Sequence, residues 1–272
     1  MVQQLAGKVA VVTGAGRMRS IGRHIARALA QAGAAVVVTG TGRHPDAYPS
    51  DEKAAGWRDI ESVVDEIRAL GGRCLPLVSD IRNEGAVENL VTRTREEFGR
   101  IDIVVNNASA ARGDDRLPVT ETSLDAWRRV FATNVEGPFL LSRMAAREMV
   151  LQKQGGSIVN ISSVVSKLPT ANSAAYAASK AAINAMSRCM ALELGPAGIR
   201  VNAVCPGLID TSRLDDVERG ENWDRYVQAT IPLGCSGDGS EIAEMVLFLV
   251  SDRGKWITGQ AINVDGGAVW GN

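Results

Sequence analysis

The chain has 272 residues, of which 45% are hydrophobic, and its 30 basic and 31 acidic side chains leave a formal net charge of -1. This size and composition predict one globular domain spanning 1–272 and exclude a disordered or repetitive chain. The balanced charge disfavours nucleic acid or an anionic membrane as a partner, so we expect a small-molecule ligand.

The cysteines and the N-terminus favour a reducing compartment. The four cysteines, Cys74, Cys189, Cys205 and Cys235, form no C-x-x-C pair, and the two histidines are distant in sequence. This pattern predicts reduced thiols, no disulfide framework and no metal site. The first residues do not resemble a signal peptide, and no apolar run reaches the roughly 18 residues of a membrane span. We therefore expect a cytoplasmic protein that does not associate with membranes.

Short apolar runs alternate with segments of helical periodicity along the whole chain. The runs are Val9–Val12, Ala35–Val38, Leu75–Val78, Ile101–Val105, Ile158–Ile161, Val201–Val204 and Ala261–Val264. Runs of this kind predict strands buried on both faces of a parallel sheet. The alternation predicts an α/β fold: a single doubly wound, Rossmann-type sheet of about seven strands with helices on both faces. Such sheets bind ligands at the carboxyl ends of their strands.

Capping residues mark the expected ends of several helices. Gly33, Gly71 and Gly99 follow helical patterns at the position of a left-handed cap, and Ser240 precedes the last helical pattern at the position of an N-cap. These positions support the assignment of the apolar runs and helical segments.

Two polar segments are longer than ordinary strand–helix connections. They are Gly40–Asp59 and Pro206–Thr230. Both could be plain surface loops. For the second, which follows a strand, a mobile lid over a substrate is an equally good interpretation, so 206–230 is a candidate substrate-covering loop.

A glycine-rich turn joins the first strand to the first helix. In TGAGRMRSIG, Gly14, Gly16 and Gly22 precede or open a helix expected to begin near Ser20. Glycines in this position let a backbone approach a pyrophosphate at a helix N-terminus. The spacing departs from G-x-G-x-x-G, which leaves the contacting atoms open, and a structural turn without a ligand is the alternative.

The end of the second strand favours NADP(H) over NAD(H), which remains possible. Gly40 and Thr41 stand where NAD-binding proteins carry an acidic residue. Cations that could pair with a 2′-phosphate are near in sequence: Arg17, Arg19, Arg43 and His44. Asp80, after the third strand, could accept a hydrogen bond from the adenine amino group or cap the next helix.

A tyrosine and a lysine share one face of a predicted helix. Lys180 follows Tyr176 by four residues in AAYAASKAAINAM, and Ser163 ends the strand SIVNISS. A free phenol ionises near pH 10, so a nearby cation is needed for it to act as an acid or base at neutral pH. Taken singly, each residue also has a structural interpretation, but together they predict proton transfer to or from a carbonyl or alcohol oxygen.

The motifs as a set resemble the short-chain dehydrogenase/reductase family. They are TGAGRMRSIG, NNAS at 106–109, NVEGPF at 134–139, ISS, YAASK, NAVCPG and the VDGG near the C-terminus. Ser163 also precedes Tyr176 by the thirteen positions usual in that family. The resemblance covers residues 7–267 and implies an NAD(P)-dependent oxidoreductase that interconverts a carbonyl and a secondary alcohol.

The resemblance also implies roles for individual residues. Tyr176 would be the general acid/base, Ser163 would orient the carbonyl, Lys180 would hold the nicotinamide ribose and lower the pKa of Tyr176, and Asn134 would support a water in a proton relay. The expected cofactor-binding set is Gly14, Gly16, Arg17, Arg19, Ser20, Ile21, Gly22, Arg43, Asp80, Ile81, Asn106, Asn107, Ala108, Tyr176, Lys180, Pro206, Gly207, Ile209 and Thr211. For Thr211, an N-cap is the alternative role.

Two departures from the family pattern affect this transfer. The glycine loop carries two extra residues, and Ser109 replaces the usual last glycine of N-N-A-G. The loop is similar to that of enoyl-thioester reductases, but in those enzymes the active lysine follows the tyrosine by seven positions. Here the seventh residue is Ile183, which argues against that activity.

Several alternatives remain open from sequence. The specific activity could be 3-oxoacyl-thioester reduction, or sugar or steroid oxidation, with substrate walls expected from 110–113, 164–168 and 208–226. A non-catalytic dinucleotide sensor and a hydrolase are rivals from other classes, although no G-x-S-x-G elbow occurs. The resemblance further implies a homotetramer built on the helices near 123–150 and 174–194.

Overall fold

A computed structural model describes residues 3–269, and these contain one parallel sheet. Its seven strands are β1 Val9–Val12, β2 Ala35–Gly40, β3 Cys74–Val78, β4 Ile103–Asn106, β5 Gly156–Ile161, β6 Ile199–Pro206 and β7 Ala261–Val264. Their order across the sheet is β3-β2-β1-β4-β5-β6-β7, and every neighbouring pair is parallel. The sheet confirms the doubly wound α/β fold expected from the alternating pattern.

Helices connect the strands and cover both faces. They are α1 Ile21–Gln31, α2 Ser50–Ala54, α3 Ile60–Ala69, α4 Glu84–Phe98, α5 Leu124–Phe131, α6 Gly137–Gln152, α7 Ala174–Leu194, α8 Glu221–Thr230 and α9 Gly239–Val250. A π-helical turn, Ala132–Glu136, joins α5 to α6.

The core consists of two apolar layers separated by the sheet. Val12 and Val38 belong to the layer that contains α1, α3 and α9, whereas Val11 and Val37 belong to the layer that contains α4 and α6. Successive strand residues point to opposite faces, so a strand buried on both sides needs an unbroken apolar run. This requirement explains why the strands could be recognised from the sequence.

The helix ends agree with the capping pattern except at α9. Ser20 caps α1 through its hydroxyl, and Gly99 ends α4 with φ of 77°. The prediction that Ser240 caps the last helix is wrong. Asp238 is the N-cap, because its carboxylate accepts from the backbone of Ser240 at 2.5 Å and Glu241 completes a capping box.

The two long polar segments are structured. Gly40–Asp59 contains a 3₁₀ turn and α2, and it buries Glu52, Trp57 and Asp59, so its interpretation as a plain surface loop is wrong. Pro206–Thr230 contains the 3₁₀ turn Ser212–Leu214 followed by α8. Many of its residues line the cavity described below.

Candidate active site

A cavity of about 1610 Å³ opens at the carboxyl ends of the strands. Residues that directly follow β1, β4, β5 and β6 line it, including Gly14, Asn107, Ser163 and Gly207. Pockets for one small ligand usually measure about 300–1,000 Å³. The volume and the elongated lining therefore fit a dinucleotide together with a second, smaller molecule.

Most of the expected cofactor-binding residues line this cavity. The lining set is Gly14, Gly16, Arg17, Arg19, Ser20, Ile21, Arg43, Asp80, Ile81, Asn107, Ala108, Tyr176, Lys180, Pro206, Gly207, Ile209 and Thr211. Asn106 and Gly22 do not line it. Asn106 is buried and donates to Ser142 and Asn160, whereas Gly22 is buried against the Asn107 side chain and the Gly14 carbonyl.

Ser163, Tyr176 and Lys180 meet at one point of the cavity. Ser163 stands just after β5, and Tyr176 and Lys180 project from α7 one turn apart. The Ser163 hydroxyl lies close enough to the Tyr176 phenol to lower the pKa of the phenol. The Lys180 ammonium lies 5.7 Å from the centre of the Tyr176 ring and donates to the Ile161 carbonyl at 2.8 Å. The structure therefore brings together the three side chains that the sequence analysis grouped.

Charges around Tyr176 favour its ionised form. Burial raises the pKa of Tyr176, but Lys180, Arg213, the Ser163 hydroxyl and Arg116 together bring it below its ordinary value. Burial also lowers the pKa of Lys180, against the opposing effect of the Tyr176 phenol. The phenol is thus suited to exchange a proton closer to neutral pH than a free tyrosine.

Asn134 is buried in the π-helical turn and its side chain does not line the cavity. The side-chain oxygen Oδ1 of Asn134 accepts from the Ser109 hydroxyl at 3.1 Å and from the Ala110 backbone N–H at 2.8 Å. Its amide donates to the Ser179 hydroxyl at 2.9 Å. The side chain therefore ties the segment after β4 to α7, next to Lys180.

Asp59 is a residue of the cofactor side that the sequence analysis did not identify. A Cβ at Gly16 would lie 1.5 Å from one carboxylate oxygen of Asp59, and a Cβ at Gly40 would lie 3.4 Å from the same oxygen. Asp59 also lines the cavity. An acidic group is thus present beside the end of β2. It belongs to Asp59, which lies at the far end of a long segment and has a φ of 56°. No local sequence pattern could therefore reveal it.

The candidate cations differ in their partners. Arg43 pairs with Glu52 at 2.8 Å and with Asp59 at 3.4 Å, and Arg19 pairs with Asp51 at 2.8 Å and Asp215 at 2.5 Å. Among residues 3–269, no carboxylate lies within 4.0 Å of the Arg17 guanidinium. His44 is exposed, does not line the cavity and accepts from the Asp46 backbone. Arg17 is therefore the cation on this side with a free guanidinium.

The helix-cap alternative is wrong for Asp80, whereas Thr211 occupies the N-cap position of the 3₁₀ turn Ser212–Leu214. The Asp80 carboxylate pairs with Arg82 at 2.6 Å, which lowers the pKa of Asp80, while Asn83 caps α4. Thr211 precedes a 3₁₀ turn without making a capping hydrogen bond. Both residues line the cavity, so their side chains face the space available to a ligand.

The described residues contain no group of three or more His, Cys, Asp or Glu side chains arranged to hold a metal ion. No helix within 3–269 is both long and apolar enough to cross a membrane.

Comparison with known proteins places the chain in a family. A family model described as enoyl-(acyl carrier protein) reductase matches residues 14–269. The chain is 38% identical to an uncharacterized oxidoreductase of Methylorubrum extorquens, with 98% of this chain and 99% of that protein covered. It is 35% identical to the 3-oxoacyl-[acyl-carrier-protein] reductase of Thermotoga maritima, with 98% and 99% covered.

A solved dehydrogenase structure is similar to this chain in both sequence and fold. A 7α-hydroxysteroid dehydrogenase in complex with NADH and 7-oxo glycochenodeoxycholic acid is 35% identical, with a TM-score of 0.85 and coverage of 98% and 96% of the two chains. The chain belongs to the short-chain dehydrogenase/reductase family. It is an NAD(P)-dependent oxidoreductase that interconverts carbonyl and alcohol groups, which excludes the sensor and hydrolase alternatives.

Proposed function

We propose that Tyr176 is the general acid/base of this enzyme and that residues 1–272 act as one dinucleotide-binding and catalytic domain. The observation that supports the first assignment is the meeting of Ser163, Tyr176 and Lys180 in a cavity where neighbouring cations lower the pKa of the phenol. When bound, the nicotinamide ring supplies or accepts the hydride. Tyr176 then donates a proton to the carbonyl oxygen during reduction and removes one from the hydroxyl during oxidation.

Two further residues prepare the phenol for this exchange. Ser163 lines the cavity beside Tyr176, so its hydroxyl can bind the same substrate oxygen and orient the reacting carbonyl. Lys180 stabilises the phenolate and holds the nicotinamide ribose. Asn134 positions the segment beside Lys180 through its side chain, so we assign its support of a relay water to its main chain.

We propose NADP(H) as the preferred cofactor, with NAD(H) also accepted. The free Arg17 guanidinium supports binding of a 2′-phosphate, with Arg43 beside it. Asp59 and Glu52 carry opposing charge next to Arg43, which limits the preference and leaves room for a ribose hydroxyl as partner. Asp80 is assigned to the adenine amino group.

The cofactor assignment is tested by kcat/KM for NADPH and NADH with one substrate. We expect wild type to favour NADPH. Arg17→Ala should reduce kcat/KM for NADPH much more than for NADH, because only the former carries the phosphate. A preference of wild type for NADH, or an equal loss with both cofactors in Arg17→Ala, would overturn the assignment.

We propose that 206–230 covers the bound substrate. Two contacts to the glycine loop support this role: Ser212 donates from its backbone to the Arg19 carbonyl at 3.0 Å, and Asp215 pairs with the Arg19 guanidinium. Trp223 and Tyr226 of α8 also line the cavity.

Reduction of 3-oxoacyl thioesters is a second candidate for the specific activity, favoured by the identity with the Thermotoga maritima reductase. A panel of ketones, oxo acids, 3-oxoacyl thioesters and secondary alcohols, followed at the absorbance of the reduced nicotinamide with both cofactors, separates the candidates. Turnover of a carbonyl or secondary alcohol is expected. Failure of the whole panel would contradict the proposed function.

We further propose a homotetramer in the cytoplasm. Large apolar side chains are exposed on α5, α6 and α7, including Leu124, Phe139, Leu151 and Leu192, and this supports self-association through those helices. The four cysteines form no disulfide, which supports a reducing compartment.

A further inference from the structure

Two arginines lie directly against the proposed catalytic tyrosine. The guanidinium carbons of Arg116 and Arg213 are 4.3 Å and 4.9 Å from the centre of the Tyr176 ring. Both side chains line the cavity. With Lys180, they place three cations around the phenol.

Nearby carboxylates leave part of this charge unmatched. Asp115 pairs with Arg116 at 3.3 Å, but Asp115 is buried and does not line the cavity. One terminal amino group of Arg213 donates a hydrogen bond to the Ala110 carbonyl at 2.5 Å. Its other terminal amino group is buried without a hydrogen-bond partner, and among residues 3–269 no carboxylate lies within 4.0 Å of it.

The other charged groups on this side of the cavity are mostly paired with one another. The pairs are Arg112 with Asp216, Arg129 with Asp114, and Arg19 with Asp215. Glu218 lines the cavity and is exposed. Among the described residues, Arg213 and Arg116 each have a buried guanidinium nitrogen without a hydrogen-bond partner, the terminal amino group of Arg213 and Nε of Arg116.

A buried guanidinium nitrogen without a hydrogen-bond partner is unfavourable, and a second cation beside it adds to the cost. Burial lowers the pKa of Arg116, Asp115 opposes that change, and Arg213 lowers the pKa further. An anion in the cavity that both side chains line would reduce the repulsion between the two guanidinium groups and offer them an acceptor of opposite charge.

We propose that the substrate carries an anionic oxygen group close to its reacting carbonyl, and that Arg213 and Arg116 bind this group. The inference rests on the proposed function, because Tyr176 fixes the carbonyl oxygen. The guanidinium groups lie over the ring of that same tyrosine, so they reach a group attached near the carbonyl rather than one at the far end of a long chain.

The reaction is then the reduction of an oxo acid anion to a hydroxy acid anion, or its reverse. A bound reduced nicotinamide would supply the hydride to the carbonyl carbon, and Tyr176 would supply the proton to its oxygen, so the anionic group would be unchanged. An oxidation is the same exchange with both transfers reversed.

The test compares ligands that differ in charge. We would measure kcat/KM of the wild-type enzyme with acetoacetate, acetonylphosphonate and methyl acetoacetate, which share the same ketone. At least one anion should exceed the neutral ester by about 10- to 100-fold, the range of a charge-assisted hydrogen bond. The two anions distinguish a carboxylate from a phosphonate. Equal or faster turnover of the ester would overturn the inference and leave the proposed function intact.

Variants test the assignment to the two arginines. Arg213→Gln and Arg116→Gln should each reduce the ratio of anion to ester kcat/KM, and Arg213→Lys should retain part of it. The matched control is Arg225→Gln, since Arg225 is exposed on the same covering segment and does not line the cavity. An unchanged ratio in both glutamine variants would contradict the proposal.

A binding measurement keeps the test independent of turnover. The Tyr176→Phe enzyme saturated with NADPH would be titrated with the anions and the ester by calorimetry. Tighter binding of an anion, lost when Arg213→Gln is added, supports the inference even if none of the three compounds is reduced. Equal affinity for the anions and the ester contradicts it.

Discussion

The phenol of Tyr176 lies among Lys180, Arg116 and Arg213, and each cation makes its ionisation easier. Burial works in the opposite direction, so the lowered pKa of Tyr176 results from these neighbouring charges together with the Ser163 hydroxyl. Alcohol oxidation needs the phenolate as base, whereas carbonyl reduction needs the neutral phenol as acid. The pH dependence of the two directions should therefore report on the neighbouring arginines.

In oxidation of a neutral secondary alcohol, kcat/KM should rise with pH as the phenolate forms. Arg213→Gln should shift this rising limb of the pH profile to higher pH. The variant removes a charge that lowers the pKa of Tyr176, so the pKa rises and more hydroxide is needed to form the phenolate. The measurement is a pH profile with saturating oxidised cofactor. Arg225→Gln should keep the wild-type limb. An unshifted limb, or a shift to lower pH, in Arg213→Gln would show that Arg213 does not act on the phenol.

At the scale of elements, the segment between β2 and α3 packs against the glycine loop. The Asp59 carboxylate occupies the space beside Gly16, and the Trp57 indole donates to the Gly16 carbonyl at 2.6 Å. Gly16 is thus required by protein packing, in addition to any contact with a cofactor. Packing also requires a glycine at position 14, because a Cβ at Gly14 would lie 2.7 Å from the Ala108 backbone.

Gly16→Ala should lower the free energy of unfolding by about 1–3 kcal/mol, the usual cost of forcing an extra group into a packed site. Urea denaturation provides the measurement. Gly195→Ala is the matched control, because no atom lies within 4 Å of a Cβ at that position. Asp59→Gly should recover part of the loss when added to Gly16→Ala. A Gly16→Ala protein as stable as wild type would contradict the close contact.

Local patterns predicted the elements well where one chemical requirement dominates. Buried parallel strands need apolar runs, and left-handed helix ends need residues such as Gly99, so both were recognised. The N-cap of α9 was wrongly predicted as Ser240 because Asp238 and Ser240, two residues apart, are both of a type that caps helices. Contacts between segments distant in sequence were not predictable, and this is why Asp59 and Arg116 were missed and Arg213 was expected only as part of the substrate wall 208–226.

At the scale of the whole molecule, one sheet gathers the motifs on one edge. Parallel strands with right-handed crossovers bring every carboxyl end to the same side, so Gly14, Asn107, Ser163 and Gly207 meet although they are far apart in sequence. The family pattern therefore predicted the proposed catalytic residues Ser163, Tyr176 and Lys180 and most of the cofactor-binding residues that line the cavity. It could not predict the charge at the substrate end, which depends on the covering segment.

Light scattering at micromolar concentration should give a mass close to four times the 28.8 kDa of the chain. The exposed apolar side chains of α5 to α7 provide the surface for this association. Leu151→Glu together with Leu192→Glu, at side chains 73% and 80% exposed, should reduce the mass without unfolding the chain. A monomeric wild-type protein would contradict the tetramer.

The central claim is that the Tyr176 phenol exchanges the proton, and the most direct test is the turnover of Tyr176→Phe. We predict a fall in kcat of about 100- to 10,000-fold, the usual contribution of a positioned acid or base. The affinity for NADPH should stay close to wild type, and Tyr226→Phe, which removes an exposed phenol at the same cavity, should retain most of its activity. A Tyr176→Phe enzyme that keeps most of its turnover would contradict the account.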